Sequence, residues 1–320
     1  MIIYDNLKIS DIQNSVGEDY ISFRKKLIIK PVILAFDAFL PWFMIIISIL
    51  FLDQIENKQF NIILIPISAL WFAFWVKAYS LLFHEAAHNN IHTNKKINDT
   101  IANVFFTPFF GMWVNQYREH HWQHHLHLGK FEDTEVSYHS PINFFQIIHD
   151  LTGIYVLKKV VEYFIYFNKE TKNLKRSRNI LLFVSSVFYM IFMQIIIILI
   201  LYNFFSVFLA IAWFGGFFFI STFLEKIRQT CEHRSLNATK EIDYKKIEHG
   251  PVNRIFGSDF FSRYFGAAGF NKHLLHHIDP SISYTAFRDM ESFMVNSNAS
   301  HLVQKNQLSY FQTIKSLFNK

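Results

Sequence analysis

The stretch NIILIPISALWFAFWVKAYSLLFHEAAH, residues 61–88, joins a long apolar run to a histidine pair without a break. Between Asn61 and Phe83 the only charge is Lys77. A helix needs ~20 such residues to cross a bilayer core of ~30 Å. Nothing between Phe83 and His84 stops that helix, so it continues into HEAAH and sets His84 and His88 one turn apart on one face. From Asn61 to His84 the rise is about 35 Å, which carries both imidazoles just beyond the apolar layer. The reading is a membrane helix that ends in metal-ligand side chains.

Three further stretches of this kind lie at 31–52, 180–202 and 204–224. Of the 320 residues, 51% are hydrophobic and 38 are Phe, yet 18% are charged, so the apolar residues are segregated into these runs. A soluble core would need four helices this long and apolar all round, which argues instead for an integral membrane protein. The expected fold class is all-α, with transmembrane helices at about 31–52, 61–83, 180–202 and 204–224. Residues 53–60 link the first pair, and the chain turns around Asn203 within the second. The spans therefore form two hairpins whose flanking segments share one side. Those flanks (1–30, 84–179 and 225–320) hold 5, 11 and 13 of the 31 Lys and Arg residues. Basic residues are retained on the cytoplasmic side, so the termini and all histidine sets are expected there.

The net charge of +6 suits an anionic leaflet. No nucleic-acid partner is expected, because only KNLKRSR (172–178) concentrates basic residues. Segment 1–20 carries Asp5, Asp11, Glu18 and Asp19 and has no apolar core, so no cleavable signal peptide is expected. Cys231 is the single cysteine, which excludes intrachain disulfides and fits a reducing face. It stands close to His233 in sequence and could offer a thiolate, although a buried inert thiol is the simpler reading. No repeat or linker divides the chain, and residues 1–320 read as one domain.

Sixteen histidines are present, and nine fall in four sets: His84 and His88; His121, His124 and His125; His233; and His273, His276 and His277. The multi-histidine sets use spacings of three or four, which align side chains on a helix. Neutral imidazole is a common ligand for transition metals, and nine are too many for one ion but about right for two. From Val207 to His233 a helix rises about 39 Å, so His233 also clears the membrane. The second set follows IANVFFTPFFGMWVN (101–115), whose length and Pro108 suggest a re-entrant or interfacial segment. The last set, ended by Asp279-Pro280, is placed to close the site as a lid.

These elements resemble the membrane fatty acid desaturase family, in its bacterial branch, over about residues 84–287. The three histidine boxes of that family match HEAAH (84–88), YREHHWQHH (117–125) and NKHLLHH (271–277). RQTCEHR (228–234) looks like the Arg-x-x-x-Glu-His element, which implies that His233 is a ligand. FEDTE (131–135) looks like the acidic tail of the second box, with Asp-Thr-Glu where Asp-Pro-Glu/Asp is common. The resemblance implies a cytoplasmic helical cap holding two iron ions through all nine histidines. It implies dioxygen as co-substrate and introduction of a double bond into a fatty acyl or similar lipid chain. Hydroxylation or ketolation by the same site is the alternative. Splitting a strong C–H bond indeed needs a redox-active metal and electrons from outside. One cysteine cannot hold an iron–sulfur cluster, so a separate ferredoxin or cytochrome is the expected donor. Glu85, Asp133, Glu135 and Glu232 are the carboxylates near the boxes, and a role in orienting ligand rings is favoured for Glu85 and Glu232.

HEAAH alone is also the zinc metalloprotease signature, with Glu85 as general base and His92 following at helical spacing. That chemistry needs three or four ligands and leaves two histidine sets unexplained. A non-enzymatic metal carrier would place its site near the bilayer midplane, and the four apolar stretches contain no histidine. His120 points about 100° from His121, which favours a surface or hydrogen-bonding role over ligation; His92 and His127 adjoin the boxes without fixed roles. His139, His149, His249 and His301 read as isolated, ordinary histidines. Asn271 could hold a metal-bound water or simply cap a turn. Asp37 is costly facing lipid, so it marks a substrate entrance or the span starts after it. Residues 141–167 mix apolar and charged positions and are expected along the membrane surface.

Overall fold

The computed structural model describes residues 8–55, 58–152, 161–162, 165 and 174–319, the side chains of 58–61, 136 and 174–177 excepted. Among the described residues the protein is helical, with isolated bridges and no strand. Six helices position the site. They are α1 (Pro31–Asp53), α2 (Ile62–Ala87), α3 (Val114–His127), α4 (Arg178–Phe204), α5 (Val207–His233) and α6 (His273–Ile278). Of these, α1, α2, α4 and α5 are long and apolar enough to cross a membrane. Both α2 and α5 run past the ends of their apolar stretches, because nothing in SLLFHEAAH or EKIRQTCEH breaks a helix.

Large apolar side chains cover the outer faces of α1 and α4, including Phe36, Phe39 and Phe51 on α1 and Leu181 and Phe188 on α4. Such exposure suits contact with lipid. The inner faces pack on Phe72, Trp75 and Trp213, all essentially inaccessible. α2 packs on α1 and most extensively on α5. Gly216 permits this: a Cβ there would sit 2.6 Å from the Ala69 carbonyl oxygen, so only glycine lets the two backbones meet.

Asp37 does not face lipid. It is buried and accepts from Arg263 Nη2 at 2.9 Å and from the Tyr284 hydroxyl at 3.0 Å. The helix already begins at Pro31, so a late start is not how the charge is accommodated. The cost of burial is met instead by partners from the far end of the chain.

The segment after α2 breaks helical regularity, with a π turn at Ala102–Phe106 followed by a short helix at Thr107–Phe110. Carbonyls exposed by this irregularity are satisfied from α4. Tyr189 donates to Val104, Gln194 to Pro108 and Ser186 to Gly111, at 3.1, 2.9 and 3.1 Å. Irregular backbone beside apolar helices is tolerated only with such partners.

Of the stretch expected along the membrane surface, Phe144–Leu151 is a helix with Phe144 and Phe145 exposed, and residues 153–160, 163–164 and 166–167 lie outside the described residues. Residues 172–173 of the basic run lie outside them as well. α6, expected as a lid, is a buried wall. Leu274 and Leu275 are in a core, and Asp279 at its end accepts from Tyr20 Oη at 3.2 Å and Arg24 Nε at 2.5 Å.

Candidate metal centre

The chain brings the nine histidines together as two groups. His84, His88, His121, His125 and His276 form one; His124, His233, His273 and His277 form the other. Within each, one ligand atom per residue lies within 4.8 Å of the others. All are buried except His88, which is half-buried. α3 and α6 each serve both groups. On α3, His121 and His125 turn to the first and His124 to the second; on α6, His276 turns to the first and His273 and His277 to the second. The paired spacing of four keeps two rings on one face, and the residue between them looks across.

The ring nitrogens converge. His121 Nε2 lies 2.8 Å from His84 Nε2 and 3.0 Å from His125 Nε2, which lies 3.0 Å from His276 Nε2. In the second group His273 Nε2 is 2.9 Å from His233 Nε2 and 3.1 Å from His277 Nε2. Nε2 of His88 and of His124 are buried without a hydrogen-bond partner. A neutral imidazole has one N–H and one lone pair, so hydrogen bonds alone serve such a convergence poorly. Donors bound at ~2.1 Å to one ion, at right angles, stand about 3.0 Å apart. The donor set fits a transition metal in each group.

Three rings are fixed from behind. His121 Nδ1 lies 2.6 Å from Glu135 Oε1, His124 Nδ1 lies 2.8 Å from Asp133 Oδ1, and His233 Nδ1 donates to the Val252 carbonyl at 2.9 Å. Each contact places the proton on Nδ1 and leaves the Nε2 lone pair facing inward. Burial holds His125, His273, His276 and His277 well below the ordinary histidine range, so they stay neutral. Burial also lowers His121 despite Glu135. His124 is opposed by burial too, but Asp133 and Glu135 outweigh it and raise its pKa. Burial alone would raise Asp133, yet His124 and the Tyr138 hydroxyl bring its carboxyl down to about 2.

The carboxylates therefore divide differently from the sequence expectation. Asp133 and Glu135 contact the rings of His124 and His121 directly. Glu85 instead accepts from the Tyr284 backbone N–H at 3.0 Å, and its other oxygen stands 3.6 Å from His84 Nδ1, beyond hydrogen-bond range. Glu232 pairs with the buried Arg228 and lies 3.9 Å from His273 Nε2. What the sequence hid is the turn between α3 and Asp133. Gly129 sits at φ +74°, donates to Asp133 Oδ2 at 3.1 Å, and accepts from His249 and Gly250 N–H. A Cβ on Gly129 would lie 2.1 Å from the Gly250 carbonyl oxygen. Gly129→Ala should therefore displace Asp133 from His124 and lower metal content roughly 10-fold or more. Metal analysis of the purified variant, set beside its melting temperature, checks this.

Other residues fall outside the groups. α2 is capped at His88, and Asn89 at φ 61° turns the chain, so His92 leaves the helix and accepts from Asn94 N–H at 2.9 Å. The third ligand that a zinc protease reading would draw from helical spacing is thereby removed. His120 is buried, its carbonyl accepting from Thr134 Oγ1 at 2.7 Å. His127 is half-buried outside both groups. His139 is neither isolated nor exposed: it is buried, edge-on to Tyr138, whose hydroxyl holds Asp133. His249 accepts from Ser235 N–H at 2.8 Å, His149 lies beside Asp150, and His301 is exposed. Asn271 donates to the Gly257 carbonyl at 3.0 Å, as a turn residue would. Cys231 is buried and belongs to neither group. Arg234 donates to the carbonyls of Tyr138, Ser140, Thr239 and Ile242, tying the segment that follows the acidic tail to the end of α5.

Beside His84 a cavity of about 260 Å³ runs between the apolar helices. Phe109, Phe110, Met190, Phe217 and Phe218 line it, with Glu225 and Gln229 among its polar lining.

Four helices of membrane-crossing length, two histidine groups that could each hold a metal ion and an adjoining apolar cavity are the features by which the chain can be compared with known proteins. The family model described as fatty acid desaturase matches residues 61–303, and the chain belongs to that family. No curated protein sequence matches the chain. The family and the histidine groups together fit an oxidoreductase with an iron centre that acts on lipid in a membrane.

Proposed function

We propose that this protein is an oxygen-dependent lipid desaturase that holds two irons through the nine histidines and introduces a double bond into an acyl chain. The observation that carries the reading is the largely apolar cavity lined in part by His84, a member of the five-histidine group. When bound, iron supplies the chemistry by which dioxygen and two external electrons remove two hydrogens from adjacent unactivated carbons. The protein's own part is to fix the imidazoles from behind with Asp133, Glu135 and the Val252 carbonyl, and to keep water from the acyl chain with phenylalanine walls. We place the termini and both histidine groups on the cytoplasmic side, with α1–α2 and α4–α5 as two hairpins in a single domain. The short links and the basic flanks support that arrangement.

Expression in a host lacking the activity, followed by mass spectrometry of its lipids, tests the reaction. Products lighter than a host fatty acid by two hydrogens support desaturation. Hydroxylated or oxo products with no new double bond would move the chain to the related reaction.

Electrons come from a separate ferredoxin or cytochrome that docks on the basic cytoplasmic side. An acidic donor is steered by an excess of Lys and Arg, so turnover with limiting reconstituted donor should fall as ionic strength rises. Full activity with substrate and dioxygen alone would contradict this.

A further inference from the structure

A second cavity, of about 590 Å³, opens on the other side of α2. Lys77, Leu81 and His84 line the first cavity, whereas Ala78 and Leu82, one turn apart, line this one. Its chemistry differs. Arg263, Lys272 and Arg288 meet Asp37 and Glu291 there, with apolar Ile33 and Phe287 alongside.

Two of the three cations are already neutralised. Arg263 pairs with Asp37 at 2.9 Å and Lys272 with Glu291 at 2.8 Å. Arg288 is exposed and has no acidic partner among the described residues. The cavity thus offers one uncompensated guanidinium, whose planar donor fork matches phosphate oxygens.

Its position identifies the source of the phosphate. Ile33 and Asp37 lie in the first two turns of α1, beside the outward-facing Val32 and Phe36, which are 79% and 53% exposed. The short helix Phe260–Phe265, which also lines the cavity, exposes Phe260 and Phe261 while Arg263 turns to Asp37. Rings that face outward beside cationic groups are the arrangement of a membrane-boundary segment. A lipid lying against α1 would reach the cavity with its headgroup while its chains stay in the bilayer.

The geometry points to a binding site for the phosphate headgroup of an anionic glycerophospholipid, separate from the cavity at the metal centre. Arg288 is its principal charge partner. Because it concerns binding alone, the site stands or falls independently of the desaturation reading.

Native mass spectrometry of the full-length protein, purified in mild detergent, tests it. Phosphatidylglycerol should be retained in preference to phosphatidylcholine. Arg288→Glu should weaken that retention roughly tenfold, and Arg288→Lys should restore part of it. Lys246→Glu, an exposed charge reversal distant in sequence and absent from the cavity lining, should leave retention unchanged. Iron content and melting temperature of each variant report whether it is folded. Equal retention of the two lipids, or an unaltered Arg288→Glu protein, would overturn the proposal. Inorganic phosphate at low millimolar concentration displacing phosphatidylglycerol completely would also overturn it, since the site would then take free phosphate rather than a lipid.

Discussion

His233→Ala is expected to abolish turnover and to lower bound iron from about two per chain to about one. The second group has four histidines, and three of them come from α3 and α6, which also build the first group. His233 is the single contribution of α5, and its Nδ1 is fixed by the Val252 carbonyl. Its removal leaves three imidazoles for one ion while the five-histidine group keeps every member. His301→Ala, at an exposed position outside both groups, should retain full activity and iron. Iron determination and product formation on the same preparations read both effects. Normal iron content and activity in His233→Ala would remove that residue from the ligand set.

The second large effect is expected from side chains that touch no metal. Asp133→Asn and Glu135→Gln keep size but lose the charge behind His124 and His121. Each should reduce metal affinity or turnover roughly 10–100-fold. The two residues act as positioning groups, so the loss should appear in metal-binding titrations as well as in product formation. Glu132→Gln, an exposed neighbour on the same turn, should change neither. If the Asp133 and Glu135 variants bound metal normally and lost activity only through unfolding, the role assigned to them would fail.

The sequence and the structure agree where local pattern decides the outcome. Apolar runs of membrane length form long helices, and spacings of four set His84 with His88, His121 with His125 and His273 with His277 in shared groups. What sequence periodicity cannot carry is how helices cross. The division of HWQHH and HLLHH between two groups arises because α3 and α6 lie between them, and no spacing rule announces that. The ring-orienting roles of Asp133 and Glu135 escape a sequence reading for the same reason. Both lie beyond the end of α3, and only the turn at Gly129 returns them to the rings. The signal that could have found them is the pairing of a glycine with an acidic cluster just after a histidine helix. Asp37 is the clearest long-range case, since its partners Arg263 and Tyr284 lie on segments far along the chain. His139 reads as ordinary in sequence because burial is not visible in a stretch lacking regular periodicity.

On the proposed function, the two histidine groups hold two irons. Metal analysis of the purified full-length protein, with protein concentration set by amino-acid analysis, tests it most directly. Close to two irons per chain are expected. A single zinc with no iron, together with peptidase activity that disappears in Glu85→Gln, would contradict it.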